Sequence, residues 1–449
     1  MPLVRCIILF ASLVANCFGA GANAKGAPLG ISSEMEASFQ KHLVEAWYPK
    51  TVDSRYGGFL TGFEADWTES EGQTKFIVGQ ARHIWVLSQL AVFLDDSSYA
   101  ELAEKGMRFL VDKMWDSQFG GFYELVSRDG RTVRSSEKSA YGMSFAIYAL
   151  SSLHAATGDS EALEYAKKSF RWMEEHSWDE EFSGYVSSMD RAGAWAPGGI
   201  DAFDTLGSKD YNSSIHMLEA LTSLYGVWPD ELVKRRLEGM LTLVRDTFVH
   251  EKGYLILYFE RNWTPVSFRG KGRSFALENN AFDHVSWGHD VETAFLMLEA
   301  SHVLGYEKDE RTLSVAKRLV DHALETGWDS EYGSFFDGGY YFEENGECEV
   351  IRPQKVWWVA GEGLNALLLM SQLFPEDPRY RNAFEKQWRY MKTHLFDERH
   401  GGWFGEGADS DPDASRRRKA HRWKASYHDG RTYMNCLKML KGQYPLTQH

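Results

Sequence analysis

Two kinds of amphipathic pattern alternate along this chain. Segments rich in Ala, Leu and Phe, with few charges, predict helices that are buried on all sides. The segments between them carry Lys and Glu at helical spacing and predict half-exposed helices. Successive buried and half-exposed helices form the pairs 82–94 with 99–111, 141–154 with 161–174, 214–225 with 232–244, 289–304 with 312–324, and 358–373 with 380–394. The pattern therefore predicts a chain built from repeated helical hairpins.

A short glycine-bearing motif recurs between these pairs. Its six copies are Tyr56–Phe59, Trp115–Phe122, Trp178–Tyr185, Glu251–Tyr254, Trp328–Phe335 and Phe396–Trp403. Most copies place Asp in a turn, Gly where the backbone needs a positive φ, and an aromatic residue at the start of a short strand. Six evenly spaced copies indicate a repeat architecture. We therefore expect an all-α fold, a single (α/α)6 barrel over residues 30–445 with short β-hairpins on one rim.

The first 24 residues have the pattern of a secretory signal peptide. Arg5 precedes an apolar run, residues 6–18, which is too short to span a bilayer, and small residues follow at 19–24. This predicts a secreted or periplasmic protein with no membrane segment after cleavage. A lipoprotein anchored at Cys17 is the less favoured alternative, because Asn16 is a poor match to the small residue that lipidation requires.

Composition narrows the class of ligand. The formal charge of the 449-residue chain is -15, which leaves no basic excess to neutralise nucleic-acid phosphates or anionic lipids. Aromatic residues make up 14% of the chain and commonly serve as platforms for sugar rings, so an oligosaccharide partner is favoured. Cys348 and Cys436 are the cysteines outside the signal segment. Free thiols are favoured over a disulfide between them, and we expect a monomer or weak dimer.

Candidate chemistry lies at the starts of the predicted buried helices. His289 and Glu292 lie one turn apart at such a start, and His216 and Glu219 repeat the arrangement. A carboxylate neighbour can fix the tautomer of an imidazole, whose ordinary pKa of about 6.5 suits general acid/base work. Since these helices begin at one rim, other first-turn residues should converge with them; these are Arg82, Trp85, Tyr141, Trp357, Trp358, Glu362, Trp423 and His428.

At these positions the chain resembles the N-acylglucosamine 2-epimerase superfamily, most closely its cellobiose 2-epimerase branch. The resemblance spans nearly the whole chain after the signal segment. The matching motifs are Ala81–Trp85, Tyr141–Leu150, His216–Tyr225, Trp287–Glu292, Trp357–Glu362 and Trp423–His428. It implies inversion of C2 in the reducing-end sugar of a β-1,4-linked disaccharide, without a cofactor or metal.

The resemblance also implies roles for individual residues. His289 and His428 would be the acid/base pair on opposite faces of the open-chain sugar, and His216 and Arg82 would polarise O1 and O2. The remaining residues would bind substrate or orient the imidazoles: Tyr141, Glu219, Glu292, Trp357, Trp358 and Trp423. Removal of the C2 proton leaves an enediolate, which needs cationic or hydrogen-bonding donors. Two imidazoles can then return a proton to the opposite face.

Several alternatives remain open at this point. The natural substrate could be cellobiose, mannobiose, or an N-acylglucosamine or mannose-type sugar. A glycoside hydrolase on the same ring would need two carboxylates flanking the cleaved bond, and a non-catalytic sugar-binding protein would not need three convergent His. The His/Glu pairs also leave a zinc site as an alternative, although such a site requires three or four ligands. The charged stretch 268–283 is expected to be either an exposed loop or a lid over the barrel mouth.

Overall fold

A computed structural model describes residues 29–196, 208–343 and 346–443. The predicted signal peptide lies outside these residues. The helices are α1 Leu29–Phe39, α2 Glu45–Trp47, α3 Ile77–Leu94, α4 Ser97–Phe109, α5 Ala140–Thr157, α6 Ser160–His176, α7 Tyr211–Val227, α8 Glu231–Leu243, α9 Arg273–Glu278, α10 Trp287–Val303, α11 Glu310–Thr326, α12 Trp357–Leu373, α13 Pro378–Tyr390 and α14 Tyr427–Leu440. Four helices, α1, α4, α8 and α13, continue directly into a π-helical turn.

Six of these helices form a closed inner ring. In order they are α3, α5, α7, α10, α12 and α14; each packs against the next, and α14 returns to α3. The outer layer consists of α4, α6, α8, α11 and α13, each packed on the inner helix that precedes it, and of α1, which packs on α14. The (α/α)6 barrel predicted from the sequence is confirmed. Its sixth pair joins the first and last described helices of the chain, which the sequence pattern did not identify.

The hydrophobic pattern explains which helices lie in the inner ring and which lie in the outer layer. Residues 142–153 of α5 are buried without interruption, as the ring interior requires. The apolar helix α3 is long enough to cross a membrane, but two thirds of its residues (67%) are buried inside the protein, as in the core helix of a folded domain. The five outer helices that follow an inner helix each begin with an aspartate cap accepting backbone N–H bonds, a contribution of about 1 kcal/mol each. These caps are Asp96, Asp159, Asp230, Asp309 and Asp377.

Short antiparallel strands lie on one rim of the barrel. They are β1 Lys75–Phe76, β2 Leu125–Val126, β3 Val133–Ser135, β4 Lys138–Ser139, β5 Ser188–Met189, β6 Lys209–Asp210, β7 Tyr258–Phe259, β8 Trp328–Asp329, β9 Ser334–Phe335, β10 Gly338–Tyr340 and β11 Glu349–Arg352. They pair as β1–β2–β3, β4–β5, β6–β7, β8–β9 and β10–β11. In the second motif copy Gly120 and Gly121 have φ of +71° and +69°, so the turn requires glycine there.

A buried ion pair marks five of the six motif copies. The turn aspartate is bonded to a lysine that comes shortly before an inner helix, in the pairs Asp53–Lys75, Asp116–Lys138, Asp179–Lys209, Asp329–Lys355 and Asp397–Lys419. The fourth copy differs at both partners. His250 takes the turn position, where its Nδ1 accepts from the Lys252 amide at 3.1 Å, and Val285 stands two residues before α10. Both charges are therefore replaced together, so neither is left buried alone.

The stretch 268–283 lies at the barrel mouth. It forms α9 and a 3-10 turn, Asn280–Phe282. Arg352 on β11 donates to the Asn280 side chain and Arg273 pairs with Glu349 at 2.8 Å, so two contacts hold this segment to the β10–β11 hairpin. Since Ala281 lines the mouth cavity described below, the segment borders the opening, in keeping with the lid hypothesis.

Candidate active site

Three imidazoles lie in the first two turns of inner helices at the same rim. His216 is on α7, His289 on α10 and His428 on α14. The Trp358 indole contacts two of them, with its ring centroid 4.4 Å from that of His289 and 5.8 Å from that of His428. His428 is buried, while His289 and Trp358 keep partial exposure. Two imidazoles are therefore packed around one aromatic ring.

His289 is held by hydroxyl groups. Its Nδ1 lies 2.6 Å from Ser286 Oγ and 3.1 Å from the hydroxyl of Tyr211. Burial holds the pKa of His289 well below its usual range, and the neighbouring His216 and His284 act in the same direction. The ring is therefore neutral near pH 7, which is the form that accepts a proton.

The expected pairing of His289 with Glu292 is not formed. Oε1 of Glu292 accepts from Arg431, and its buried Oε2 has no hydrogen-bond partner among the described residues. The analogous pair on α7 does form, with His216 Nδ1 2.9 Å from Glu219 Oε2. The same helical spacing therefore gives an orienting carboxylate for His216 but not for His289, whose ring is bonded to the hydroxyls of Ser286 and Tyr211 instead.

That cation is Arg431, the hub of a buried charge cluster. Its guanidinium donates to Glu219 at 2.6 Å, to Glu362 at 2.7 Å and to Glu292. Glu362 in turn lies 2.7 Å from His428 Nδ1 and so orients that imidazole. Although burial acts in the opposite direction, Arg431 and His216 lower the pKa of Glu219 to about 2, whereas burial raises the pKa of Glu362. A single cation thus neutralises part of three carboxylates and ties two imidazoles into one network.

A metal-ligand arrangement occurs inside this cluster. One ligand atom each of Glu292, Glu362 and His428 lies within 4.8 Å of the others. The Arg431 guanidinium bonds both of these carboxylates. Since the cluster already holds a cation of its own, the trio does not favour a metal site, and the prediction of no metal stays a prediction.

Arg82 and Tyr141 lie between the imidazole of His216 and a cavity at the barrel mouth. Arg82 begins the second turn of α3 rather than the first, and it donates to the Trp423 carbonyl at 2.9 Å and to the Tyr141 hydroxyl at 2.8 Å. The Tyr141 ring centroid is 5.3 Å from that of His216 and 6.2 Å from that of Trp423. A cavity of about 400 Å³ opens beyond them, with Glu124, Ser139, Tyr141, Asp210, Tyr211, His284, Arg352 and Trp423 in its wall.

The structure brings together most residues predicted from sequence, with one exception. Of the predicted site residues, Tyr141 and Trp423 line the mouth cavity, while the three imidazoles, Arg82 and Trp357 are not in its described wall. Trp357 is set apart by its neighbours. Its ring centroid lies 6.0 Å from that of His421, and it lines a separate cavity of about 550 Å³. The expected substrate contact of Trp357 therefore receives no support from its position. His284 also lines the mouth cavity.

Sequence reasoning missed Arg431 and Tyr211. Arg431 follows His428 by three residues, the spacing at which Glu219 follows His216 and Glu292 follows His289. Applying the three-residue spacing to the start of α14 as well would have identified Arg431. Tyr211 is the first residue of α7, and only the packing of α7 beside α10 brings its hydroxyl to His289.

Comparison with known proteins agrees with this arrangement. Residues 57–429 match the family model described as N-acylglucosamine 2-epimerase (GlcNAc 2-epimerase). The chain belongs to this family. It is therefore an isomerase, a carbohydrate 2-epimerase.

Individual relatives cover almost the whole chain. A cellobiose 2-epimerase of Bacteroides fragilis is 30% identical over 425 residues, which cover 91% of this chain and 98% of the relative. The solved structure of a cellobiose 2-epimerase from Bacillus thermoamylovorans B4167 matches with a TM-score of 0.80 at 25% identity, over 91% of this chain and 99% of that one. A D-mannose isomerase structure matches with a TM-score of 0.76 at 21% identity over 91% and 98%, which shows a shared fold.

Proposed function

We propose that this epimerase inverts C2 of the reducing-end sugar of a β-1,4-linked disaccharide, with cellobiose or mannobiose as substrate. The observation that carries the proposal is the placement of His289 and His428 against the same Trp358 ring. A sugar lying over this indole would have one imidazole on either side of it. The similarity to cellobiose 2-epimerases over almost the whole chain supports a disaccharide.

The proposed reaction starts from the open-chain sugar, because only a carbonyl at C1 makes the C2 proton acidic. One imidazole removes that proton as a neutral base, and C2 becomes part of a planar enediolate. The other imidazole, protonated by exchange with water, then delivers a proton to the opposite face of C2. The buried setting keeps both imidazoles neutral in the absence of substrate, and the negative charge of the enediolate favours protonation of the second one.

Arg82 and His216 are suited to hold the enediolate oxygens. The Arg82 guanidinium lies 4.6 Å from the Phe145 ring centroid and makes no ion pair among the described residues, so its charge is available to an oxyanion. His216 is fixed through Glu219 and contacts the Tyr141 ring. Preorganised donors of this kind contribute about 3 kcal/mol to stabilising a developing oxyanion.

A hydrolase reaction is less well supported by the same site. It requires two carboxyl groups placed on either side of a glycosidic bond. The buried carboxylates Glu219, Glu292 and Glu362 all accept from Arg431 instead. Their charges are therefore used within the protein, and they are not placed as a free pair of carboxyl groups.

Turnover in heavy water tests the reaction directly. With cellobiose or mannobiose in heavy water, we expect the C2 epimer of the intact disaccharide to form with deuterium at C2, because the returning proton comes from an imidazole that exchanges with solvent. Nuclear magnetic resonance of the product measures both features. A panel with lactose, mannose and N-acetylglucosamine identifies the preferred sugar. Release of monosaccharides, or an epimer that keeps its original C2 hydrogen throughout, would contradict the proposal.

We also propose that the enzyme works outside the cytoplasm, as a secreted or periplasmic monomer or weak dimer. Support comes from the N-terminal signal-like segment, which lies outside the described residues. Expression of the full chain in a secreting bacterial host should give a mature protein that begins near residue 21 or 25. N-terminal sequencing of the exported protein measures this, and a cytoplasmic product that still carries the first 20 residues would contradict it.

A further inference from the structure

One buried acid in the mouth cavity has no part in the proposed chemistry. Glu124 is 6% exposed and follows the aromatic residue of the second motif copy by two positions. The preceding and following copies have Thr61 and Ser187 at this position. A long acidic side chain therefore stands at a rim position where the neighbouring repeats have short hydroxyl side chains.

The hydrogen bonds of Glu124 determine where its proton must be. Ser139 Oγ accepts from the Gly142 amide at 2.9 Å, which caps α5. The one proton of that hydroxyl is therefore free to go to Glu124 Oε2, also at 2.9 Å. A protonated Glu124 then carries its own proton on Oε1. The hydrogen bonds of the described residues include no acceptor for it, and the side chain lines the cavity.

The surroundings favour the protonated form. Burial raises the pKa of Glu124 to about 7, and Glu137 acts in the same direction, while the Ser139 hydrogen bond and Arg422 oppose it. The charged groups across the cavity are engaged elsewhere: Arg352 with Asn280 and His284, and Asp210 with Ser187 and Ser213. Below neutral pH the carboxyl is therefore a hydrogen-bond donor with no acceptor among the residues that the structure describes.

We propose that Glu124 donates this hydrogen bond to a hydroxyl of the second sugar and so selects disaccharides over monosaccharides. The proposal rests on the proposed function. Tyr141 and Trp423 line the same cavity as Glu124, and Tyr141 is bonded to Arg82 in the site. A disaccharide whose reducing sugar lies among the imidazoles would extend past Tyr141 toward Trp423, where Glu124 is available.

Two substitutions separate hydrogen bonding from packing. We expect Glu124→Ala to lower kcat/KM for cellobiose about tenfold and that for mannose less than twofold, since only the longer sugar reaches this position. Glu124→Gln keeps an N–H donor of the same size and should stay within threefold of the wild type for both sugars. Glu101→Gln, which changes an exposed acid on the outer helix α4, is the matched control and should change neither value.

The pH dependence gives a further readout. In the wild type, the ratio of kcat/KM for cellobiose to that for mannose should fall as pH rises from 6 to 8, because Glu124 loses its proton in this range. In Glu124→Gln the ratio should stay constant. A ratio in the wild type that does not change with pH would overturn the assignment of the donor.

Other outcomes would also overturn it. Equal losses for both sugars in Glu124→Ala would indicate a structural role, and a Gln variant as weak as the Ala variant would exclude donation. Calorimetric binding of cellobiose and glucose to the wild type and to Glu124→Ala decides the matter without turnover. A wild type that binds cellobiose but epimerises no disaccharide would contradict the proposed function, while the affinity ratio would still decide the role of Glu124.

Discussion

Replacing His289 or His428 with Asn should lower the rate of C2 epimerisation by about a thousandfold or more. Asn keeps polar atoms in nearly the same place but cannot take up a proton near neutral pH, and general acid/base groups contribute about 10²–10⁴-fold each. The measurement is epimer formation from cellobiose or mannobiose, together with hydrogen exchange at C2 followed from each epimer separately.

The exchange experiment distinguishes two bases from one. If each imidazole serves one face of C2, each variant should still exchange the C2 hydrogen of the epimer that presents it to the remaining imidazole, while net inversion is lost. His302→Asn is a matched control, because His302 is an exposed residue near the far end of the same helix α10. Retention of more than a tenth of the wild-type epimerisation rate by either variant would remove that residue from the acid/base pair.

Replacing Arg431 with Met should destabilise the protein by about 3–5 kcal/mol and abolish activity. The substitution leaves Glu219, Glu292 and Glu362 buried without their shared cation, the situation in which broken buried ion pairs cost most. Denaturant unfolding monitored by tryptophan fluorescence measures the free energy of unfolding. Arg431→Lys keeps a charge but not the forked geometry, and should fall between the wild type and the Met variant.

The pH dependence of the Met variant has a definite sign. Without the guanidinium, burial raises the pKa values of Glu219 and Glu362 above their unfolded values, so the folded state binds more protons than the unfolded state. The stability of Arg431→Met should therefore recover as pH falls from 8 to 5 and decrease as pH rises. A loss of stability that is the same at both pH values would show that packing, and not uncompensated charge, is responsible.

The ring itself could be predicted from the sequence because its signal is repeated six times. A buried helix such as α5 and an Asp-capped outer helix such as α6 differ in composition over more than a dozen residues. The turn motifs separate each such pair of helices from the next pair. The candidate imidazoles could be predicted at the starts of the inner helices because all inner helices begin at one rim. The closing pair of α1 with α14 could not be predicted, because it is a contact between distant parts of the chain with no shared motif.

The hydrogen-bond partners of the site residues were harder to predict than the positions of these residues in the fold. His289 and Glu292 have the spacing of a hydrogen-bonded pair, yet Glu292 bonds Arg431 from α14, while the imidazole bonds Ser286 and Tyr211. Trp357 and Trp358 are adjacent in sequence, and the helical rotation of about 100° between them sends one to the imidazoles and the other to His421. Such choices depend on neighbouring helices and not on local pattern.

The pairing of α1 with α14 has a consequence for shortened chains. Among the described helices the first packs against the last, and that last helix carries His428 and Arg431. A chain that stops before α14 would lack one imidazole, the shared cation and the partner of α1. Loss of this one segment should therefore remove the pocket and open the ring together.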